Sequence, residues 1–109
     1  MANIINVDDE NFLEEVIEKS FKIPVVVDFW ASWCGPCMML GPLLDNVVKH
    51  YEGKIILAKM SVEESQIVPQ QYEISSIPAV KMFKDGEVVD EFVGAIPEKK
   101  IKEWIEGNL

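Results

Sequence analysis

Cysteine and histidine, the usual ligands of structural zinc, are scarce in this sequence, which has two cysteines and one histidine among 109 residues. Cys34, Cys37 and His50 have the spacing of the first three ligands of a zinc finger. A structural zinc ion takes four ligands, so only a carboxylate could complete the set. We therefore expect no metal site, and we interpret His50 as a polar residue near the end of a helix.

Long apolar runs and positive charge are scarce as well. No apolar run approaches the length of about 20 residues that a membrane-spanning helix needs. The 19 acidic residues outnumber the 10 basic ones and give a net charge of −9, which argues against nucleic acid as a partner. Such acidity is typical of a soluble surface, and it could also steer basic protein partners.

The chain also lacks low-complexity segments, internal repeats and linkers, so residues 1–109 are predicted to form a single domain. The stretch Met1–Ile4 has no basic segment followed by an apolar core, so we expect no signal peptide. We therefore expect a cytoplasmic protein, with a monomer as the default. An organellar form with its targeting segment removed would have the same features.

Hydrophobic periodicity predicts nine elements in the order β-α-β-α-β-α-β-β-α. Strands separated by helices pair in parallel, whereas Asp85-Gly86 predicts a hairpin and hence an antiparallel pair. The fold class is therefore α/β, with a central mixed five-stranded sheet flanked by four α-helices. The predicted strands are residues 4–7, 25–30, 55–60, 80–83 and 87–93. The predicted helices run from Asp8 or Asp9 to about Ser20, from the cysteines to Gly53, over 64–72 and from Pro97 to about Gly107.

Several residues within these elements stand out from their surroundings. Pro42 lies inside the second helix, where it removes a hydrogen bond, so we predict a kink there. Asp28 and Lys59 each place one charge in an otherwise apolar strand, where a charge is costly unless it is paired or neutralised. Asp28 is either a polar strand edge or a buried acid with a raised pKa, and Lys59 either tunes that acid or extends its ammonium to water. The apolar face of the first helix is predicted to comprise Phe12, Leu13, Val16 and Ile17.

Cys34 and Cys37 are separated by two residues, where a predicted strand meets a predicted helix. A structural disulfide here would close a tiny loop and constrain the unfolded chain only slightly. At a helix start, however, both cysteines lie on one side of the first turn, where N–H groups and the helix dipole favour the first thiolate. Gly35 leaves the approach open to a partner, and Pro36 stiffens the turn without an unsatisfied N–H. The motif therefore favours a redox-active pair.

The stretch from Val26 to Cys37, VVDFWASWCGPC, resembles the active-site segment of the thioredoxin family. The resemblance extends from about Ile4 to Leu109 and implies the thioredoxin fold and a protein-disulfide reductase without a bound cofactor. A thioredoxin reductase drawing on NADPH would restore the dithiol after it has reduced a disulfide in a target protein. Gly35-Pro36 is typical of the reducing members of this family. The other motifs that carry the resemblance are Pro42, Lys59, Ile77-Pro78, the Lys84-Asp85-Gly86-Glu87 turn and Val93-Gly94-Ala95.

The resemblance also implies individual roles. Cys34 would be the nucleophile and Cys37 the resolving thiol, while Asp28 beneath Cys37 would help to move its proton and Lys59 would tune Asp28. The peptide bond between Ile77 and Pro78 would be cis, and the backbone of Ile77 would pair with a substrate strand. The implied substrate-binding surface comprises Trp33, Gly35, Pro36, Ile77, Pro78, Gly94 and Ala95.

Three departures from the family pattern lie near the cysteines. Met38 stands where many relatives have a basic residue, so we expect thiol tuning and partner preference to differ. Ala79 follows Pro78 where threonine is common, which we expect to change local hydrogen bonding only. Ser75-Ser76 replaces a pair that contains glycine, so we expect a different substrate groove. Two other functions stay open at this point: a disulfide oxidase or isomerase on the same fold, and a binding subunit that does not use its cysteines.

Overall fold

The computed structural model describes residues 3–109, in which five strands form one mixed sheet. The strands are β1 (Ile4–Val7), β2 (Val25–Trp30), β3 (Ile56–Ser61), β4 (Ala79–Lys84) and β5 (Glu87–Val93). Their spatial order is β1-β3-β2-β4-β5; β3 pairs in parallel with β1 and β2, whereas β4 pairs antiparallel with β2 and β5. The predicted sheet is confirmed, and each predicted strand end lies within one residue of the observed end.

Four helical segments flank the sheet in residues 3–109, and the last three contain α-helices, as predicted. These are α1 (Gly35–Val48), which a 3-10 turn (Lys49–Tyr51) continues, α2 (Ile67–Gln71) and α3 (Glu98–Gly107). Pro42 lies inside α1, and the kink expected there stays a prediction. None of the helices described in this part of the chain combines the length and the apolarity that crossing a membrane requires.

The first helical segment differs from the predicted α-helix. Leu13–Glu18 form a π-helix, and Lys19–Phe21 continue it as a 3-10 turn. A π-helix joins residues five apart and has more residues per turn than an α-helix, so its buried face differs from the one that α-helical spacing predicts. Phe12 and Val16 are buried, but Leu13 is 65% exposed, so its predicted place on the apolar face is wrong.

Apolar residues cover both faces of the sheet, and Val25–Phe29 of β2 are buried throughout. On one face, Val26 packs with residues of α1 and α3 that include Leu40 and Ile101. Side chains alternate along a strand, so Asp28 lies on the same face as Val26, towards α1. Asp28 therefore lies between the sheet and α1, the helix that begins at the cysteines.

The turn between β4 and β5 has the predicted hairpin geometry. Both central residues have positive φ, 53° at Asp85 and 84° at Gly86, as in a type I′ turn. The turn makes β4 and β5 antiparallel, so Val93 at the end of β5 lies beside Ala79 at the start of β4.

Asp9, one of the two residues at which the first helix is predicted to begin, caps a different helix. Its carboxylate accepts hydrogen bonds from the backbone N–H groups of Gln66, Ile67 and Val68 at 2.8 to 3.1 Å. N–H groups at a helix start have no acceptor inside the helix, so this carboxylate satisfies the start of α2. Asp8, the other predicted starting residue, accepts hydrogen bonds from the backbone N–H groups of Glu10 and Asn11. These bonds stabilise the turn before the π-helix.

Asp9→Ala is expected to destabilise the protein by about 1–2 kcal/mol, because the N–H groups at the start of α2 lose their acceptor. Urea unfolding followed by circular dichroism measures the loss. Glu10→Ala is the matched control, since it removes the same charge from the adjacent exposed residue, and we expect a change of less than about 0.5 kcal/mol. Equal losses in the two variants would contradict the capping role of Asp9.

Candidate active site

Cys34 is the N-cap residue of α1, directly after the loop that leaves β2. Its extended backbone (φ −91°, ψ 107°) turns the chain into the helix, and Pro36 occupies the first turn. The N–H of Cys37 donates to Cys34 Sγ at 3.2 Å. The two cysteines form a disulfide, with their Cα atoms 5.3 Å apart. The predicted pairing and its place at a helix start are confirmed.

The start of α1 provides an electrostatic environment that suits a thiolate. The positive end of the helix dipole and the N–H of Cys37 both point towards Cys34 Sγ. When the disulfide is reduced, these groups stabilise negative charge on Cys34 more than on Cys37, which lies one turn further along the helix. The geometry therefore suits a thiolate at Cys34, and the role of Cys34 as the nucleophile stays a prediction.

The surface around the disulfide is open, although the sulfurs themselves are largely covered. Cys34 is 5% exposed and Cys37 2% exposed. The sulfur of Cys34 is bonded to Cys37 and packs against the segment that contains Ile77. By contrast, Trp33 is 72% exposed, and a Cβ atom added at Gly35 would meet nothing within 4 Å.

A second loop faces the disulfide. The peptide bond between Ile77 and Pro78 is cis, as the resemblance implied. The carbonyl oxygen of Ile77 lies 3.8 Å from Cys34 Sγ. The N–H of Gly94 donates to the carbonyl of Pro78 at 2.7 Å, and the φ of Gly94 is +92°, a conformation that favours glycine. These contacts link the loop and Gly94 to the cysteines, while Ala95 is exposed beyond them.

Asp28 lies at the bottom of a cavity of about 240 Å³ behind the disulfide. Its side chain is buried, with 2% of the residue exposed, and no described residue hydrogen-bonds to its Oδ1. Burial raises the pKa of Asp28 to about 7, with Lys59 opposing the rise and Asp45 adding to it. Asp28 is therefore buried, as one of its two interpretations required, and its part in catalysis stays a prediction. The cavity is lined by Asp28, Trp30, Cys37, Met38, Gly41, Pro42, Asp45 and Lys59.

Lys59 lies next to Asp28 across the sheet, because the two are register partners on β2 and β3. Its Nζ nevertheless forms an ion pair with Asp45 Oδ1 at 2.6 Å. The sequence reasoning did not single out Asp45. A signal was present, since Cys37, Gly41 and Asp45 follow one another at four-residue intervals along α1 and therefore share one face of the helix.

Glu63 is a second residue that the sequence reasoning missed. Its Oε1 accepts a hydrogen bond from the N–H of Ser32 at 2.6 Å, which lowers the pKa of Glu63. The contact ties the loop before Cys34 to the end of β3. It depends on the register that places Trp30 opposite Ser61, and no local pattern around Glu63 indicates it.

The zinc interpretation does not fit this geometry. The sulfurs of Cys34 and Cys37 are joined to each other, and His50 lies in the 3-10 turn at the far end of α1. A separation of 13 residues along helix corresponds to about 20 Å, too far for a shared ion. Within residues 3–109, no group of three or more histidine, cysteine or acidic side chains could hold a metal ion.

A Cys-x-x-Cys disulfide at the start of a helix that follows a buried strand is typical of the thiol–disulfide oxidoreductases. Comparison with known proteins narrows this class. The family model described as thioredoxin matches residues 3–107. The chain therefore belongs to the thioredoxin family.

Individual thioredoxins are similar to this chain over most or all of its length. The thioredoxin of Chlorobaculum thiosulfatiphilum is 46% identical over 101 residues, which cover 93% of this chain and 92% of that protein. The thioredoxin of Rickettsia felis and thioredoxin 1 of Nostoc sp. are each 42% identical over 109 residues, the whole length of both chains. The protein is thus a thiol–disulfide oxidoreductase with a thioredoxin fold that reduces disulfides through Cys34 and Cys37. The predictions of family, fold and activity are confirmed.

Proposed function

We propose that the protein reduces target disulfides in two steps, in which Cys34 attacks, Cys37 resolves and Asp28 accepts the proton of Cys37. One observation carries this assignment: Cys34 is the N-cap of α1, while Cys37 and Asp28 line one cavity behind it. The two sulfurs have different surroundings, and each suits one of the two steps.

In the first step, the thiolate of Cys34 attacks one sulfur of a target disulfide. A mixed disulfide forms, and the other target sulfur leaves as a thiolate. The N–H of Cys37, 3.2 Å from Cys34 Sγ, and the helix dipole support this step, because they favour the thiolate of Cys34. The open space beside Gly35 allows the target to approach.

In the second step, Cys37 gives up its proton and attacks Cys34 Sγ. The mixed disulfide breaks, the target leaves as a thiolate, and two electrons have passed to it as the Cys34–Cys37 disulfide forms. The pKa of about 7 leaves Asp28 near half-ionised at neutral pH, which suits a group that accepts and returns a proton. Lys59 tunes this acid. The cavity of about 240 Å³ has room for water between Cys37 and Asp28.

The target chain binds across the two loops that meet at the disulfide. Exposed Trp33 supplies an apolar contact, and the backbone of Ile77 adds the target as a short strand. The carbonyl oxygen of Ile77 supports this role, because it lies 3.8 Å from Cys34 Sγ. The full substrate-binding surface comprises Trp33, Gly35, Pro36, Ile77, Pro78, Gly94 and Ala95.

The partners follow from the family. A thioredoxin reductase drawing on NADPH restores the dithiol, and the targets are proteins that contain disulfides. Residues 1–109 act as a single domain and as a monomer in the cytoplasm. The net charge of −9 argues against nucleic acid, and a membrane has no part in the reaction.

Asp28→Asn is expected to slow the second step by about 100-fold, because the variant lacks the proton acceptor. The reduced protein is mixed with an aromatic disulfide whose thiolate is coloured. The first coloured thiolate reports attack by Cys34, and the second reports resolution by Cys37. In the wild type, resolution should accelerate as the pH rises through about 7, the pKa of Asp28, and the variant should lose this inflection.

Glu91→Gln is the matched control. It removes one negative charge from another ion pair, in which Glu91 Oε1 lies 2.7 Å from Lys81 Nζ, and it should leave both steps unchanged. The release of the first thiolate is an internal control, since it should be similar in all three proteins. An Asp28→Asn variant that resolves at the wild-type rate across this pH range would exclude Asp28 as the proton acceptor.

A further inference from the structure

Three charged side chains from three different elements line the cavity behind Cys37: Asp28 on β2, Asp45 on α1 and Lys59 on β3. Asp28 is buried, with 2% of the residue exposed. The side chains of Asp45 and Lys59 are 38% and 20% exposed, so their ion pair lies nearer the solvent. One lysine thus lies between two carboxylates with which it could pair.

The structure pairs Lys59 with Asp45. Its Nζ lies 2.6 Å from Asp45 Oδ1, and a Cβ atom added at Gly41 would lie 3.8 Å from the same Nζ. These two distances place the ammonium group against α1. Asp28 Oδ1 is buried without a hydrogen bond from any described residue, although Lys59 is its register partner on β3. Within the described residues, Lys59 thus forms its ion pair with the carboxylate on α1 and not with the carboxylate of its cross-strand neighbour.

We propose that Asp45 is a positioning residue for the proton-transfer step: by holding Lys59 Nζ against α1, it leaves the carboxylate of Asp28 free to take the proton of Cys37. This inference rests on the proposed role of Asp28 as the proton acceptor. It adds a residue on α1 and a reason for the orientation of Lys59.

The physical argument concerns how strongly Asp28 holds a proton. An ammonium group in direct contact with a buried carboxylate stabilises the ionised form and makes it a weaker base. Burial raises the pKa of Asp28 most strongly, Lys59 lowers it and Asp45 raises it. The charged or titratable groups on this cavity are Lys59 from β3 and Asp45 and Cys37 from α1. The register partner of Asp28 on β4 is Val80, which carries no charge.

The test titrates Asp28 directly. The chemical shift of its carboxyl carbon is followed against pH by nuclear magnetic resonance in the oxidised protein. Asp45→Asn removes a nearby negative charge and releases Lys59 towards Asp28, and both changes favour the Asp28 carboxylate. The midpoint should therefore fall by about one pH unit. Asp45→Glu keeps a carboxylate for Lys59 and should stay close to the wild type.

Glu91→Gln is again the matched control, because it removes the same charge from an ion pair of similar length on β4 and β5. It should leave the midpoint of Asp28 unchanged. A fall in the midpoint as large as that of Asp45→Asn would show that net charge, rather than the position of Asp45, sets the titration, and it would overturn the proposal.

A double-mutant cycle separates the positioning of Lys59 from the charge of Asp45 itself. Lys59→Met alone should raise the midpoint of Asp28, because it removes the nearby positive charge. In the Lys59→Met background, Asp45→Asn should lower the midpoint by less than it does in the wild type, because no lysine is left to release. Equal shifts in the two backgrounds would overturn the positioning role.

Kinetics of resolution complete the test. In Asp45→Asn, the inflection in the release of the second coloured thiolate should move to lower pH together with the titration of Asp28. If Asp28→Asn loses the inflection but Asp45→Asn leaves the inflection and the titration unmoved, the role of Asp28 stands and the inference about Asp45 fails. If Asp28→Asn keeps the wild-type inflection, both fail.

Discussion

Cys34→Ser is expected to abolish the reduction of insulin disulfides, with a loss of at least about a thousandfold in rate. The hydroxyl of serine is not ionised near neutral pH, so the helix dipole and the N–H of Cys37 have no thiolate to stabilise. Cys37 should not replace it, since Cys37 lines the cavity behind the helix start while Cys34 holds the N-cap position. Turnover coupled to NADPH and a thioredoxin reductase measures the loss.

Cys37→Ser is the matched variant, and it should fail in a different way. Its Cys34 still attacks, but no second thiol resolves the product, so the mixed disulfide should accumulate with one target per protein. Electrophoresis without reductant detects this species, and added dithiol should release it. A Cys34→Ser variant that reduces insulin at the wild-type rate, or that forms the same mixed disulfide as Cys37→Ser, would exclude Cys34 as the nucleophile.

The parts of the fold that the sequence predicted correctly depend on neighbouring residues. The run Val25–Trp30 indicates a buried strand wherever it occurs, and Asp85-Gly86 indicates a type I′ turn because few residue pairs tolerate two positive φ values. Cys34 at the start of α1 follows from the meeting of these strand and helix patterns. Such signals need no knowledge of the rest of the molecule.

The parts that were missed depend on contacts between distant segments. Asp9 caps α2, more than 50 residues further along the chain, because the fold places the start of α2 beside it. Glu63 reaches Ser32 because β2 and β3 end side by side. The apolar spacing around Leu13 fits an α-helix, so periodicity could not indicate the π-helix that forms there.

The site shows both kinds of outcome. The cysteines and Asp28 were predicted because each is unusual within its own segment. Asp45 is an ordinary acidic residue in an amphipathic helix, and only the ion pair with Lys59 distinguishes it. Resemblance to a family supplied the cis bond before Pro78, which residue patterns alone do not predict.

The second large effect is on stability: between about pH 4 and about pH 8, the stability of oxidised Asp28→Asn relative to the wild type is expected to rise by about 4 kcal/mol. The pKa of Asp28 is about 7 in the folded protein, against 3.8 for an unperturbed carboxyl. Below about pH 4 the group is protonated in both states and has no effect. Between these values the unfolded chain ionises while the folded protein holds its proton, so wild-type stability falls as the pH rises. Above about 7 the whole penalty is present, and the variant lacks it.

Urea unfolding of both oxidised proteins at about pH 4 and about pH 8 measures this difference. The cost of burying the asparagine amide is present at both pH values and cancels. Asp90→Asn provides a control of opposite sign, because the hydrogen bond from the Asn108 side chain lowers the pKa of Asp90. A carboxyl with a lowered pKa stabilises the fold above its ordinary pKa of 3.8 and loses this contribution only as the pH falls below that value. Asp90→Asn should therefore be the less stable protein at both pH values, with little change between them. An advantage of Asp28→Asn that is equal at both pH values would show that Asp28 is not protonated in the folded protein at neutral pH, and the proton-acceptor role would lose its physical basis.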